Sequence, residues 1–275
     1  VIIFGHTGQD GYYLTRLLIK NGDKVFGISR TKNIYDLNFP QSKNFLSYSI
    51  DILDKIKINE LISEIKPHSI YYLAGESSVG KSFSNPQSTI NTNTYGFLNI
   101  LEAVKNNSPD SKIFNALSSE CFGETLDYDA CEDSDLNPRS PYALSKKINY
   151  DFANYYSKNN FLRIYNIFLF NHESLRRNEN FVTQKIISSV KLIHKKQLNN
   201  LVIGNINIIR DWGWAPEYVN FFPKIISLND PDNFILATGK SYRLLDFIKF
   251  AFDYYDLNFE NYNQIDPSLK RDSDP

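Results

Sequence analysis

The chain has 275 residues, 42% hydrophobic and 22% charged, the proportions of an ordinary globular protein with enough chain to bury a sizeable core. Lys and Arg number 30 against 31 Asp and Glu, so the net charge of -1 offers no global field to gather nucleic acid or an anionic membrane, and no apolar run is long enough to span one. Its two cysteines, Cys121 and Cys131, fit neither a metal site nor a disulfide framework, and no leader-like segment precedes the first apolar run, so a cytoplasmic protein is expected.

Short β-branched and aromatic runs alternate with longer amphipathic ones. Strands are predicted at Val1–Phe4, Lys24–Ile28, Phe45–Ser49, Ser69–Leu73, Lys112–Ala116 and Arg163–Ile167. Between them, Leu14, Leu17 and Leu18 form one helix stripe, and Leu98, Leu101 and Val104 another. This pattern predicts an α/β fold, a doubly wound parallel Rossmann sheet over residues 1–168. Beyond it the alternation becomes irregular. Val182, Ile186, Ile187, Val190 and Ile193 still recur at helical spacing, and Leu201–Ile203 and Phe234–Ala237 read as short strands. Residues 169–275 are therefore expected to form a smaller C-terminal substrate-binding lobe over the carboxyl ends of the strands, with a segment of about 205–228 returning to the first domain.

Gly5-His6-Thr7-Gly8-Gln9-Asp10-Gly11 follows the first strand and opens the first helix. Glycines there permit a tight turn and let backbone amides approach a pyrophosphate at the positive end of a helix. Three glycines alone could be a plain turn, but their place between a first strand and a first helix favours a dinucleotide. The second strand ends Gly27-Ile28-Ser29-Arg30. A basic tip without an acid points to NADP rather than NAD, with a solvated loop residue as the lesser alternative for Arg30. Asp51 and Ile52, after the third strand, suit the adenine end, with a turn or cap as the alternative for Asp51. Leu73, Ala74 and Gly75 are expected to bring backbone to the cofactor after the fourth strand, and Ser77, just beyond, is a candidate contact for both cofactor and substrate.

Tyr142 and Lys146 are four residues apart, on one face if the segment is helical. Ser140 suits the cap of that helix and Pro141 its first position. A nearby ammonium and an oxidised nicotinamide would favour the phenolate, making Tyr142 a general base. Ser118, at the end of the fifth strand, can bond a substrate hydroxyl. Glu120 beside it suggests proton transfer at a second carbon, against the alternative of a surface carboxylate.

Taken together, these stretches make the chain resemble the extended short-chain dehydrogenase/reductase family and, within it, the GDP-mannose 4,6-dehydratases. The likeness is carried by Gly8-Gln9-Asp10-Gly11, Ser118-Ser119-Glu120, Pro138-Arg139-Ser140-Pro141-Tyr142, Phe170-Asn171-His172-Glu173-Ser174, Asn180-Phe181-Val182-Thr183 and Arg210-Asp211-Trp212-Gly213. The resemblance implies catalytic roles for Ser118, Glu120, Tyr142 and Lys146, and cofactor contacts from His172 and Arg177. It also implies a GDP-sugar site lined by Asn171, Val182, Lys185 and Arg210, and a homodimer or homotetramer. The chain departs from the family pattern at Glu76, usually Gln; at Ser88, where a Tyr often meets the cofactor; and at Thr31, often a second Arg. Trp214 stands where the mannose enzymes commonly carry His, which brings in a GDP-manno-heptose substrate as a competitor. Two further readings remain at this level. A sugar-nucleotide reductase or epimerase would keep Tyr142 and Lys146 without needing Glu120, and a non-catalytic NADP-binding sensor would need only the glycine loop.

Overall fold

The computed structural model describes residues 1–30, 39, 42–125 and 129–269. In chain order its first part runs β1 (Ile2–Phe4), α1 (Gln9–Lys20), β2 (Val25–Ser29), β3 (Phe45–Ser49), α2 (Lys55–Ile65), β4 (Ser69–Tyr72), α3 (Val79–Ser84), α4 (Pro86–Ile90), α5 (Gly96–Asn107), β5 (Lys112–Ser118), α6 (Pro141–Asn160) and β6 (Arg163–Leu169). It continues with β7 (Asn171–Glu173), α7 (Val182–His194), β8 (Leu201–Ile203), β9 (Ile209–Trp214), α8 (Ala215–Ser227), β10 (Asn233–Leu236), β11 (Ser241–Arg243), α9 (Leu244–Asp253) and β12 (Asn263–Ile265).

The chain divides into two compact units. The first, Val1–Phe170 with Trp214–Leu236, is built on a seven-stranded sheet in the order β10-β6-β5-β4-β1-β2-β3. Every pairing in it is parallel. Its inner strands are apolar on both sides because helices cover both faces. In β1, Ile2 and Phe4 join the core under α2, α5 and α6, while Ile3 turns to the opposite core, where α1 supplies Leu14 and Leu18. That second core is completed by α8, whose Phe222 is fully buried with its ring centroid 4.4 Å from that of Phe114. The order reverses between β1 and β4, so the carboxyl ends of these strands form the crevice where doubly wound sheets bind ligands.

The second unit comprises Asn171–Gly213 and Ala237–Pro275. It holds a three-stranded sheet, β11-β9-β7, and a parallel pair, β12-β8. Helices α7 and α9 meet over a core containing Ile186, Val190, Ile248 and Phe252.

Two sequence expectations shift. The strand predicted at Phe234–Ala237 is not part of the smaller lobe: as β10 it pairs in parallel with β6, and Phe234 and Leu236 pack on the α8 core. The segment returning to the first unit is Trp214–Leu236, against about 205–228 expected, because Ile206, Ile208 and Trp212 pack in the core of the second unit. Among the described residues no helix is long and apolar enough to cross a membrane.

Removing the α8 anchor should be felt by the whole first unit. Phe222→Ala is expected to lower unfolding free energy by about 3–5 kcal/mol, measured as a reduced midpoint in urea.

Candidate active site

The phosphate loop is shaped by two contacts that no side chain would permit. Gly5 has φ +88°, and a Cβ there would lie 2.7 Å from the Ala74 nitrogen. A Cβ on Gly11 would collide with the Gly5 carbonyl. The loop is therefore pressed against the end of β4, where Leu73 N–H donates to the Phe4 carbonyl at 3.0 Å. Gly8 occupies the N-cap position of α1 and supplies no side-chain cap, so the first turn presents backbone amides in the manner that suits an anion. These features fit a dinucleotide pyrophosphate. Thr7, Gln9 and Asp10 surround the same turn, with Gln9 Nε2 donating to Asp10 Oδ1 at 3.2 Å. Arg30 is exposed at the bend after β2, and its carbonyl accepts the Ser49 hydroxyl at 3.2 Å. Thr31 lies outside the described residues.

The other cofactor candidates divide. Asp51 is exposed and its Oδ1 accepts the Leu53 N–H at 3.0 Å, the turn-forming bond. Ile52 is buried against Gly96, so it is a core residue as well as a neighbour of Asp51. Ser77 and Ser88 are both exposed, the latter on α4. Glu76 keeps the acceptor that a Gln would offer, since its Oε1 takes the N–H groups of Ser77 and Ser78 at 3.1 and 3.0 Å.

Helix α6 begins as its sequence predicts. Ser140 Oγ accepts the Ala143 N–H at 3.1 Å, and Pro141 takes the first helical position. Tyr142 and Lys146 are both buried on the same face. Lys146 Nζ donates to the Ala116 carbonyl of β5 at 2.7 Å and lies 6.0 Å from the ring centroids of both Tyr142 and Tyr72. Burial draws its pKa down to about 8, opposed by Cys121 and by Asp10 of the phosphate loop. Ser118, which closes β5, accepts the Glu120 N–H at 3.3 Å in a short 3₁₀ turn, Ser119–Cys121. Cys121 Sγ meets the Ala143 carbonyl at 3.8 Å, so the turn carrying the half-buried Glu120 is packed on the first turn of α6, beside Tyr142. Burial pushes the Cys121 thiol up to about 12, so it serves as an inert spacer rather than a nucleophile.

A further residue of this centre was missed by the sequence reading. Asn93 lies in a π-turn, Asn91–Tyr95, directly before α5. Its Nδ2 donates to Ser145 Oγ at 2.9 Å and to the Glu76 carbonyl at 3.1 Å, while its Oδ1 accepts the Glu76 N–H at 2.8 Å. Its carbonyl accepts from Tyr72 Oη and Asn149 Nδ2. One side chain thus ties the β4 loop to α6. The only sequence signal was a polar run, Asn91-Thr92-Asn93-Thr94, in front of an apolar helical stripe.

In the second unit, Asn171 and the buried His172 lie in β7, and Val182 and Lys185 on the first turns of α7. Arg177 pairs through Nε with Glu173 Oε2 at 3.3 Å and sits 3.6 Å over the Phe181 ring. Glu173 also accepts the Thr183 hydroxyl at 2.7 Å. Arg210 Nη1 donates to the Ile209 carbonyl at 2.8 Å. Its neighbour Asp211, unassigned from sequence, is buried and accepts from the Thr238 and Gly239 amides and the Thr238 hydroxyl. That carboxylate fixes the loop after β10 and holds β9 in place.

Comparison with known proteins identifies the family. The family model described as GDP-mannose 4,6 dehydratase matches residues 2–274. GDP-mannose 4,6 dehydratase 2 of Caenorhabditis elegans is 36% identical over 91% of this chain and 69% of its own length. GDP-mannose 4,6-dehydratase of Yersinia enterocolitica is 34% identical over 91% and 70%. The fold matches that of a dTDP-glucose 4,6-dehydratase from Streptomyces venezuelae solved with NAD, with a TM-score of 0.86 at 17% identity over 98% of this chain and 85% of that one. A glycine loop closed to side chains at Gly5 and Gly11, a Tyr and Lys buried on one helix face and a Glu turn packed on that helix thus stand in a chain that belongs to the GDP-mannose 4,6-dehydratase family.

Proposed function

We propose that the chain converts a GDP-mannose-type sugar to its 4-keto-6-deoxy form, using a nicotinamide dinucleotide held by the loop from Gly5 to Gly11. The observation that carries this reading is the buried Lys146 ammonium, fixed on β5 beside the Tyr142 ring, with the Glu120 turn packed on the same helix. The basic tip at Arg30 supports NADP over NAD. When bound, the nicotinamide supplies the oxidant at sugar C4 and gives the same two electrons back at C6, so no net redox change occurs.

The chain's own residues supply the proton movements. Tyr142 takes the proton of the C4 hydroxyl, and the Lys146 ammonium, in a site of low dielectric, stabilises the phenolate that does so. The C4 ketone makes the C5 hydrogen acidic, and Glu120 removes it. Water leaves from C6 with a proton returned by the Glu120 carboxyl, while the Ser118 hydroxyl bonds the sugar oxygen; the proton held on Tyr142 then goes to C5 as C6 is reduced, which restores both side chains. A plain reductase or epimerase has no use for that second base. His172 and Arg177 are assigned to the cofactor, and Asn171, Val182, Lys185 and Arg210 to the nucleotide sugar. In this reading the Glu173 and Phe181 contacts hold Arg177 in one orientation. A second substrate, GDP-manno-heptose, is favoured by Trp214, which is 44% exposed at the end of β9 and bulkier than the usual His.

Incubation with GDP-mannose and with GDP-manno-heptose, followed by mass spectrometry, should show loss of one water from one of them. Glu120→Gln is expected to slow that loss roughly 10²–10⁴-fold while dinucleotide binding is unchanged. An unchanged rate would remove Glu120 from the chemistry.

The lowered Lys146 pKa makes a second prediction. In the ligand-free protein the folded state releases this proton near pH 8, whereas the unfolded chain holds it to about 10.4. Across that window the unfolded state binds more protons, so stability rises with pH, and the burial penalty is fully present below pH 8. The full gain is about 3 kcal/mol. Urea unfolding of the ligand-free protein at increasing pH should show this rise, and Lys146→Met, with no proton to lose, should flatten it.

A further inference from the structure

His6 stands second in the phosphate loop, and none of the proton movements above uses it. Its ring is fully buried. It crosses β2 at Gly27, where an added Cβ would come within 2.6 Å of the ring, and the rings of Phe39 and Phe45 flank it with centroids 5.4 and 5.8 Å away. At the far side Nε2 meets Ser47 Oγ at 3.1 Å. Gly27 and Ser47 are partners in the pairing of β2 with β3, so the imidazole reaches from the loop across one strand to the next. Two residues along β3, on the same face, Ser49 donates its hydroxyl to the Arg30 carbonyl at 3.2 Å. A single strand thus holds both the phosphate loop and the tip of β2.

We propose that the His6–Ser47 hydrogen bond is a positioning latch that sets the spacing between the phosphate loop and Arg30, and thereby the preference for NADP⁺ over NAD⁺. The inference rests on the cofactor reading given above. NADP⁺ carries two anionic groups, a pyrophosphate for the loop and a 2′-phosphate for Arg30, and both must be met at once. NAD⁺ carries only the first. A loop free to shift by a fraction of an ångström can still follow a pyrophosphate, but it cannot keep register with a second fixed group. The penalty for losing the latch therefore falls on NADP⁺.

The test compares Ser47→Ala, Ser47→Thr and His6→Phe with the parent chain. Dissociation constants for NADP⁺ and NAD⁺ are read by titration calorimetry, and thermal midpoints are measured without ligand. Ser47→Ala and His6→Phe, which each remove one partner, should weaken NADP⁺ by roughly three- to tenfold and NAD⁺ by less than about twofold. Ser47→Thr, which keeps the hydroxyl, should bind as the parent does. NADP⁺ affinity unchanged in both deletion variants would overturn the latch while leaving the cofactor reading intact. Equal weakening toward both dinucleotides, or weakening accompanied by a lowered midpoint, would assign the pair to the fold alone. A parent chain without preference for NADP⁺ would overturn the Arg30 reading itself, and the latch with it.

Discussion

Placing one ammonium, that of Lys146, in the interior imposes conditions on everything around it. An isolated charge taken from water into protein costs several kcal/mol, so it persists only where fixed dipoles and counter-charges replace its hydration. Here the Ala116 carbonyl accepts a hydrogen bond from the ammonium, the rings of Tyr72 and Tyr142 lie 6.0 Å away, and Asp10 adds a favourable field from the phosphate loop. The compensation is partial, since the pKa still falls to about 8. A group in that state responds to any negative charge that forms nearby, which suits the stabilisation of a phenolate.

The rest of the first unit holds α6 where this can happen. The helix must lie close enough to β5 for a lysine side chain to reach a strand carbonyl, and three devices keep it there. Ser140 and Pro141 fix where the helix starts. The Cys121 contact seats its first turn on the Glu120 loop. Asn93 fastens its second turn to the end of β4 through Ser145. The Asn93 backbone carbonyl adds further ties, accepting from Tyr72 Oη and from Asn149 Nδ2 of the same helix.

Much of this was legible in the sequence where the signal is local. The strands of the parallel sheet stand out as β-branched and aromatic runs, and the four-residue spacing of Tyr142 and Lys146 with a Ser-Pro start places them on one buried face. What stayed hidden depends on partners distant in the chain. Phe234–Ala237 reads as a strand, but nothing local says that it pairs with β6 rather than within the smaller unit. Strand β7 is only Asn171-His172-Glu173, polar and three residues long, and carries no alternation to recognise. Asp211 and Asn93 are defined by what they bond, Thr238 and Gly239 in one case and Glu76 and Ser145 in the other, so spacing could not announce them. Asp51 shows the opposite risk, because its turn-forming bond is visible while the adenine role is not.

The return of Trp214–Leu236 to the first unit bears on how the molecule is made. During synthesis the nascent chain completes six strands of the large sheet by Leu169, yet α8 and β10 emerge only after more than forty further residues of the second unit. Until then the face bearing Tyr71, Phe114 and Tyr165 lacks its cover, and the β6 edge is unpaired. An exposed apolar face beside an open edge is a template for association between chains, so the interval before α8 leaves the ribosome is the stage at which chaperone protection matters most.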